Sequence, residues 1–309
     1  MTRVELPWTN VYGTARSLLA AGTLATLLCH DTDLLFRPLG AELGDVARDI
    51  RLMEVSLFSL LPGARLGLAK GIAVVILLAT AIGWRPRLTG ILHWWVSFSF
   101  GASCVVVDGG DQVAAVLALL LVPVTLTDPR RWHWSPAPAA GGGLSRQVRA
   151  FVASSALSVI RLQIATIYFV AVVAKLGVRE WVNGTAVYYW FLHPVFGVDG
   201  WRRALMMPLL THPVSVTILT WGALVLEALL FAGLLAERRY QSRLLWVGIL
   251  FHSAIAVVHG LVSFALSMFA ALILYLRPVE EEFGPRAPRA SAAPAGEGGR
   301  ASEVTRLGA

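Results

Sequence analysis

Arg161, Tyr168 and Lys175 stand seven residues apart inside an otherwise apolar stretch that runs RLQIATIYFVAVVAKLGVREWVNGTAVYYWFLHPVF from 161 to 196. Seven residues of α-helix turn through about 700°, so the three side chains fall within roughly 20° of one line and cover about 21 Å of rise. A guanidinium, a phenol and an amine on one face of an apolar helix belong against a bundle interior or a cavity, because charge facing hydrocarbon is expensive. Lys175 is the group best suited to chemistry. Burial disfavours its ammonium form and makes the free amine available as a general base. The plainer reading is that Lys175 ends its helix and snorkels to the headgroups, with Arg161 reaching the opposite surface.

Trp181 and Gly184 follow, then Tyr188, Tyr189, Trp190 and Phe191. They make either an interfacial aromatic belt or a lid over a cavity that holds Lys175. His252 and His259 share a helix face but sit about 10 Å apart along it, too far to chelate one metal together. Either is a haem ligand, a proton carrier or a hydrogen-bonded residue between packed helices. Glu227 falls inside another apolar run and can pair with Lys175 or with Arg161. Asp108 and Asp111 frame a Gly-Gly turn, as a helix cap or as paired acids near a cation or peptide. Cys29 and Cys104 are two thiols, too few for a zinc site. No phosphate loop, nucleophile elbow, HExxH or dinucleotide fingerprint occurs.

The elements that would position these groups are membrane helices. Of 309 residues, 56% are apolar and 15% charged, and the mean hydropathy is +0.66. Those proportions exclude an ordinary soluble enzyme and a disordered chain. Apolar runs cover about 11–29, 66–83, 88–107, 112–126, 154–176, 214–235 and 244–276. The last is too long for one span and is expected to turn at His259-Gly260. The fold class is therefore an all-α polytopic bundle of seven or eight membrane helices. The net charge of +7 is carried by arginines beside the spans, which reads as topology and headgroup contact and not as nucleic-acid binding. Arg85, Arg87, Arg130, Arg131, Arg146, Arg149, Arg238, Arg239 and Arg243 fall in alternate loops, which places them and the N-terminus in the cytoplasm. Arg202 and Arg203 conflict with that pattern unless their loop lies along the membrane surface. Trp8 and Tyr12 suit an interfacial belt, and Asn10 a helix cap. Residues 135–143 read as a linker. The expected organisation is a cytoplasmic segment at 1–13, a transmembrane domain at 14–277, and a disordered Gly/Pro/Ala-rich tail at 278–309.

The pattern Arg161-x-Gln163, Tyr168, Lys175-Leu176, Trp181-x-x-Gly184-x-Ala186 resembles the HTTM membrane family, which includes the vitamin K-dependent γ-carboxylases. The N-terminal PWTNVYGTARSLLAAGTLATLL with the following DTDLLF is similar, more narrowly, to the sporulation-delaying protein B group. With the region of His252, Phe264 and Met268, the resemblance covers about residues 7 to 277. It implies a multi-pass protein of a bacterial cell membrane that helps to make or mature an exported antimicrobial peptide toxin. Its partners would be membrane lipid and a separately encoded toxin precursor with its maturation proteins. In the carboxylases the lysine matching Lys175 deprotonates a reduced quinone. The resemblance thus makes Lys175 a candidate base; with Tyr168 and Arg161 it would line a cavity for an apolar peptide segment or a quinone-like lipid cofactor. The other readings are a non-enzymatic scaffold or chaperone for the pro-toxin and a quinone- or haem-binding redox protein. Gln163, Trp181, Gly184, Tyr188, His252 and Glu227 would bind substrate. The chain departs from the carboxylases in having Asp108-Gly-Gly-Asp111 where they carry an Asn-His pair, and in having no large β-rich domain, which speaks against glutamate carboxylation.

Overall fold

The computed structural model describes residues 6–36, 54–136 and 143–284. Among them all regular structure is helical apart from one isolated bridge between Trp84 and Trp132. Eight helices have fifteen residues or more: α1 Asn10–Cys29, α2 Leu66–Ala81, α3 Pro86–Ser103, α4 Gly109–Thr127, α5 Leu144–Leu176, α6 Pro213–Ala232, α7 Arg238–His259 and α8 Val262–Leu276. Five helices, those ending at Ala81, Thr127, Leu176, Ala232 and His259, are long and apolar enough to cross a membrane, and α8 is a shorter apolar helix. Their outer faces carry large apolar side chains, such as Val75, Phe169, Ile218 and Leu250. A water-soluble bundle would put charge there; this one presents oil to oil. The chain is a membrane protein.

The break expected at His259-Gly260 is present. Gly260 takes the left-handed conformation (φ 77°) that ends α7 and lets α8 run back. α8 is then the centre of the bundle: every residue from Ala270 to Leu276 is buried, and the helix packs on α1, α4, α5 and α7. The sequence alternates no polar face there because no face meets water. α5 is longer than its apolar run. It starts ten residues earlier, at Leu144, and its 33 residues extend about 50 Å.

Several expectations change at the end of the bundle where α1 begins. Thr9, not Asn10, caps α1, accepting from Val11 N at 3.3 Å. Asn10 instead clamps the segment after α8: its Nδ2 donates to Phe283 O (2.8 Å) and its Oδ1 accepts from Phe283 N (2.9 Å). Residues 278–284, at the head of the expected tail, are thus tied to the first helix, and 285–309 lie outside the described residues. Trp8 and Tyr12 are buried against the bundle and do not form an exposed aromatic belt. Both cysteines are free. Most of the expected linker, 137–142, is likewise outside the described residues.

α4 and α8 meet closely where α4 begins. Asp108 and Asp111 form a capping box there, with Asp111 N donating to Asp108 Oδ1 (3.0 Å) and Asp108 N to Asp111 Oδ2 (3.1 Å). A Cβ at Gly110 would stand 2.5 Å from the Cα of Phe264, whereas one at Gly101 meets nothing within 4 Å. Gly110→Ala is therefore expected to cost about 1–3 kcal/mol through overpacking. Gly101→Ala should be neutral or slightly stabilising, since alanine favours helix. Thermal unfolding of the full chain in detergent checks both.

Candidate functional site

Lys175 ends α5, and Glu227 lies inside α6, the helix packed against it. The amine donates to both carboxylate oxygens, at 2.8 and 2.6 Å. The two side chains are 24% and 13% exposed, so water screens the pair only partly. Of the two partners open to Glu227, the structure gives it Lys175. Trp181 roofs the pair, its ring centroid 5.2 Å from the amine. Trp181 is held there by a short helix, Arg179–Val182, that turns the chain back over α5. The next turn depends on Gly184, whose φ is +81° and whose added Cβ would lie 2.9 Å from Thr217 of α6. A second short helix, Ala186–Phe191, then lies against α6, with Val187 N donating to Thr220 Oγ1 at 3.2 Å. Tyr188 sits on that helix, half-buried and edge-on to Tyr189. A third, Gly200–Leu210, carries Arg202 paired with Asp199.

Tyr168 is two turns along α5 from Lys175 and fully inside the bundle. Its hydroxyl meets His252 Nε2 of α7 at 3.3 Å. His252 is flanked by Phe251 and Phe264, and its Nδ1 is buried with no partner among the described residues. Phe264 also covers Gly110, so the α3–α4 turn touches the same site from the other side. His259 is engaged elsewhere, its Nδ1 2.8 Å from Phe196 O. Arg161 shares the stripe but not the place. It lies about 21 Å along α5 from Lys175 and lines a separate cleft with Arg238 and Arg277. Gln163, about 200° around α5 from Arg161, is half-buried on another face. Among the described residues no group of three or more His, Cys, Asp or Glu could hold a metal ion.

Both oxygens of Glu227 accept from Lys175, so the amine stands as the donor of an ion pair and not as a free base. Lys175 becomes a base only if its proton passes to Glu227 or if Glu227 swings away. What the pair offers as it stands is a fixed, water-poor dipole beneath an aromatic plate.

Residues 143–279 match the HTTM domain family. The uncharacterised protein YitO of Bacillus subtilis (strain 168) is 43% identical over 276 residues, covering 89% of this chain and 87% of that one. Sporulation-delaying protein SdpB of the same organism is 36% identical over 275 residues, covering 89% and 83%. The chain belongs to the HTTM family, in the group of SdpB. No solved structure matches it. The HTTM stretch begins at α5 and ends just past α8, so it contains Arg161, Tyr168, Lys175, Glu227 and His252.

Outside that stretch lies a buried polar network with no counterpart in the sequence reading. Tyr12 of α1 donates a short hydrogen bond to Asp128, which caps the end of α4. Arg130 forks onto Asp128 with Nε to Oδ1 and Nη2 to Oδ2, both 2.9 Å, and the two side chains are 2% and 0% exposed. Arg16 donates to Thr89 of α3 and reaches Nδ1 of His133 at 3.4 Å. Ser17 gives its own proton to Ala81 O (2.6 Å), so at 3.3 Å it accepts from Nε2 of His133. His133 is therefore neutral with its proton on Nε2. Burial, then the charges of Arg16 and Arg130, push it down to about 3 from the usual 6.5. Arg130 is thus a core residue as much as a topology signal. The hint was the run Asp128-Pro-Arg-Arg-Trp-His-Trp, an acid and a histidine among arginines and tryptophans at the end of an apolar helix.

Two measurements follow from these pairs. Lys175→Met and Glu227→Met, which each strand one charge, are expected to destabilise the protein by about 1–3 kcal/mol. The double variant should recover most of that loss, because no lone charge remains. Second, the unfolded chain takes up a proton on His133 near pH 6.5 and the folded one near 3. His133 therefore costs no stability above pH 6.5 and up to about 1.4 kcal/mol per pH unit below it. His133→Gln should flatten the fall in unfolding midpoint between pH 7.5 and 5.

Proposed function

We propose that this is a multi-pass protein of the bacterial cell membrane, N-terminus in the cytoplasm, required to produce an exported antimicrobial peptide toxin. Membership of the SdpB group over 89% of the chain supports the process. The site it would use is the Lys175–Glu227 pair under Trp181, continued inward by Tyr168 and His252. The observation that carries this site is the salt bridge itself, the one Lys–carboxylate pair between spanning helices among the described residues. The toxin precursor, separately encoded, would lie along this face with its apolar segment against the short helices at 179–210. Trp181, Gly184 and Tyr188 shape that surface, and Gln163 is about 120° around α5 from Lys175 and about 18 Å along it.

A lysine-based reaction needs the proton of Lys175 to move to Glu227, with the precursor or a quinone-like lipid then meeting the neutral amine. A non-enzymatic role, in which the dipole and the aromatic plate hold the precursor for other maturation proteins, is favoured by the amine being already neutralised by two contacts. The mass of the exported peptide separates the two. If the chain is an enzyme, deleting it removes a mass increment that proteolysis does not explain, and Lys175→Met, expressed at the normal level, removes the same increment. If it is a scaffold, the peptide keeps its mass and only its amount falls. Unchanged mass and amount in Lys175→Met and Glu227→Gln would rule out this site for either role.

A further inference from the structure

At the end of the bundle opposite Lys175, a cleft of about 190 Å³ opens between α5, α7 and the chain leaving α8. Arginines from all three elements line it: Arg161, Arg238 and Arg277. Ser154 and Ser158 stand on the same wall of α5, with Gln241 of α7 opposite. The one acid of the lining is Glu280, so the walls carry a formal charge of about +2 (three arginines less one glutamate). Part of that charge is engaged. Arg238 lies 3.6 Å from Glu281, an exposed pair worth little. Arg277 donates Nε and Nη2 to the carbonyls of Glu281 and Glu282 and stacks on Phe283, which fixes its plane without neutralising it. Arg161 has no carboxylate partner among the described residues, and its Nε is buried with nothing to bond. An uncompensated guanidinium with a buried idle donor is costly unless something anionic completes it.

The depth of the cleft narrows the choice. Arg238 opens α7 and Arg277 follows α8. Arg161 lies about 10 Å inside the start of its apolar run, which puts the cleft at the boundary of headgroup and hydrocarbon. Its volume is below the roughly 300 Å³ of ordinary small-molecule pockets, which suits a compact oxyanion and not a whole isoprenoid ring and tail. Planar guanidiniums match phosphate oxygens, and the Ser154 hydroxyl stands beside them, while that of Ser158 donates to Ser154 O (3.1 Å). We propose that this cleft binds a phosphate group, supplied at this depth by the headgroup of an acidic phospholipid. The site is independent of Lys175 and of the toxin-related reading.

Native mass spectrometry of the full-length protein, purified in a neutral detergent and titrated with phosphatidylglycerol, phosphatidylcholine or inorganic phosphate, tests this. Phosphatidylglycerol adducts should persist at activation energies that strip phosphatidylcholine, and Arg161→Gln should weaken them about tenfold. Arg161→Lys, which keeps the charge but not the fork, should fall between, and serves alone if Arg161→Gln does not fold. Arg243→Gln, which removes an arginine outside the cleft, should change nothing. Displacement of the lipid by millimolar inorganic phosphate would keep the phosphate site and assign it to free phosphate. Equal retention of the two lipids, or unchanged adducts in both Arg161 variants, would overturn the proposal.

Discussion

A charge placed out of water must find its opposite within the protein, and that constraint organises this molecule more than any apolar contact does. Oil on the outside of a membrane helix gives it no preferred rotation, since lipid tails are as apolar as leucine. The outer faces of α5 and α6 are of this kind, with Leu162, Phe169, Ile218 and Val225 exposed. Lys175 and Glu227 supply what those faces lack: one register and one rotation in which both charges are satisfied. Asp128 does the same at the other end, joining the end of α4 to α1 through Tyr12 and to its own loop through Arg130.

The second constraint is the position of α8. The last helix in the chain is the most enclosed, so the others close around it. Phe264 near its start packs on His252 and on the α3–α4 turn. Leu274 near its end lines the arginine cleft. One short helix therefore touches both candidate sites, and the segment after it is pinned to Thr9 and Asn10 by three hydrogen bonds. The first and last described parts of the chain close the same end of the bundle.

Much of this was legible in residue spacing. The seven-residue interval at 161, 168 and 175 lies on one helix as expected, the break falls at Gly260, and the Asp108–Asp111 turn is a cap. What spacing could not supply was depth. A common stripe says nothing about which other helices lie beside each turn of it, so spacing alone puts Arg161 and Lys175 on one cavity. Tyr168, buried between them and bonded to His252, separates two environments that the helical wheel merges. The Tyr12–Asp128–Arg130–Arg16–His133 network was illegible for a different reason. Each of its residue types has an ordinary meaning at a membrane interface, and only the folding of the 128–135 loop back against α1 makes them core. Spacing offers Glu227 two cations, and only the packing of α5 on α6 decides between them.

The separation along α5 also limits what the two ends can share. A ligand small enough for the 190 Å³ cleft cannot reach an amine about 21 Å away past a filled layer at Tyr168. If phosphate at one end affects the Lys175 region at the other, it must do so through α5, α7 or α8, each of which has residues at the cleft and at the Tyr168–His252 layer. α8 is the best candidate. It is buried along its last seven residues, so a shift at Leu274 meets close packing rather than lipid and is passed along the helix to Phe264. α5 has lipid along one side and can relax there instead. Any coupling between the ends would thus be carried by apolar packing around the central helix, not by the polar stripe that first drew attention to α5.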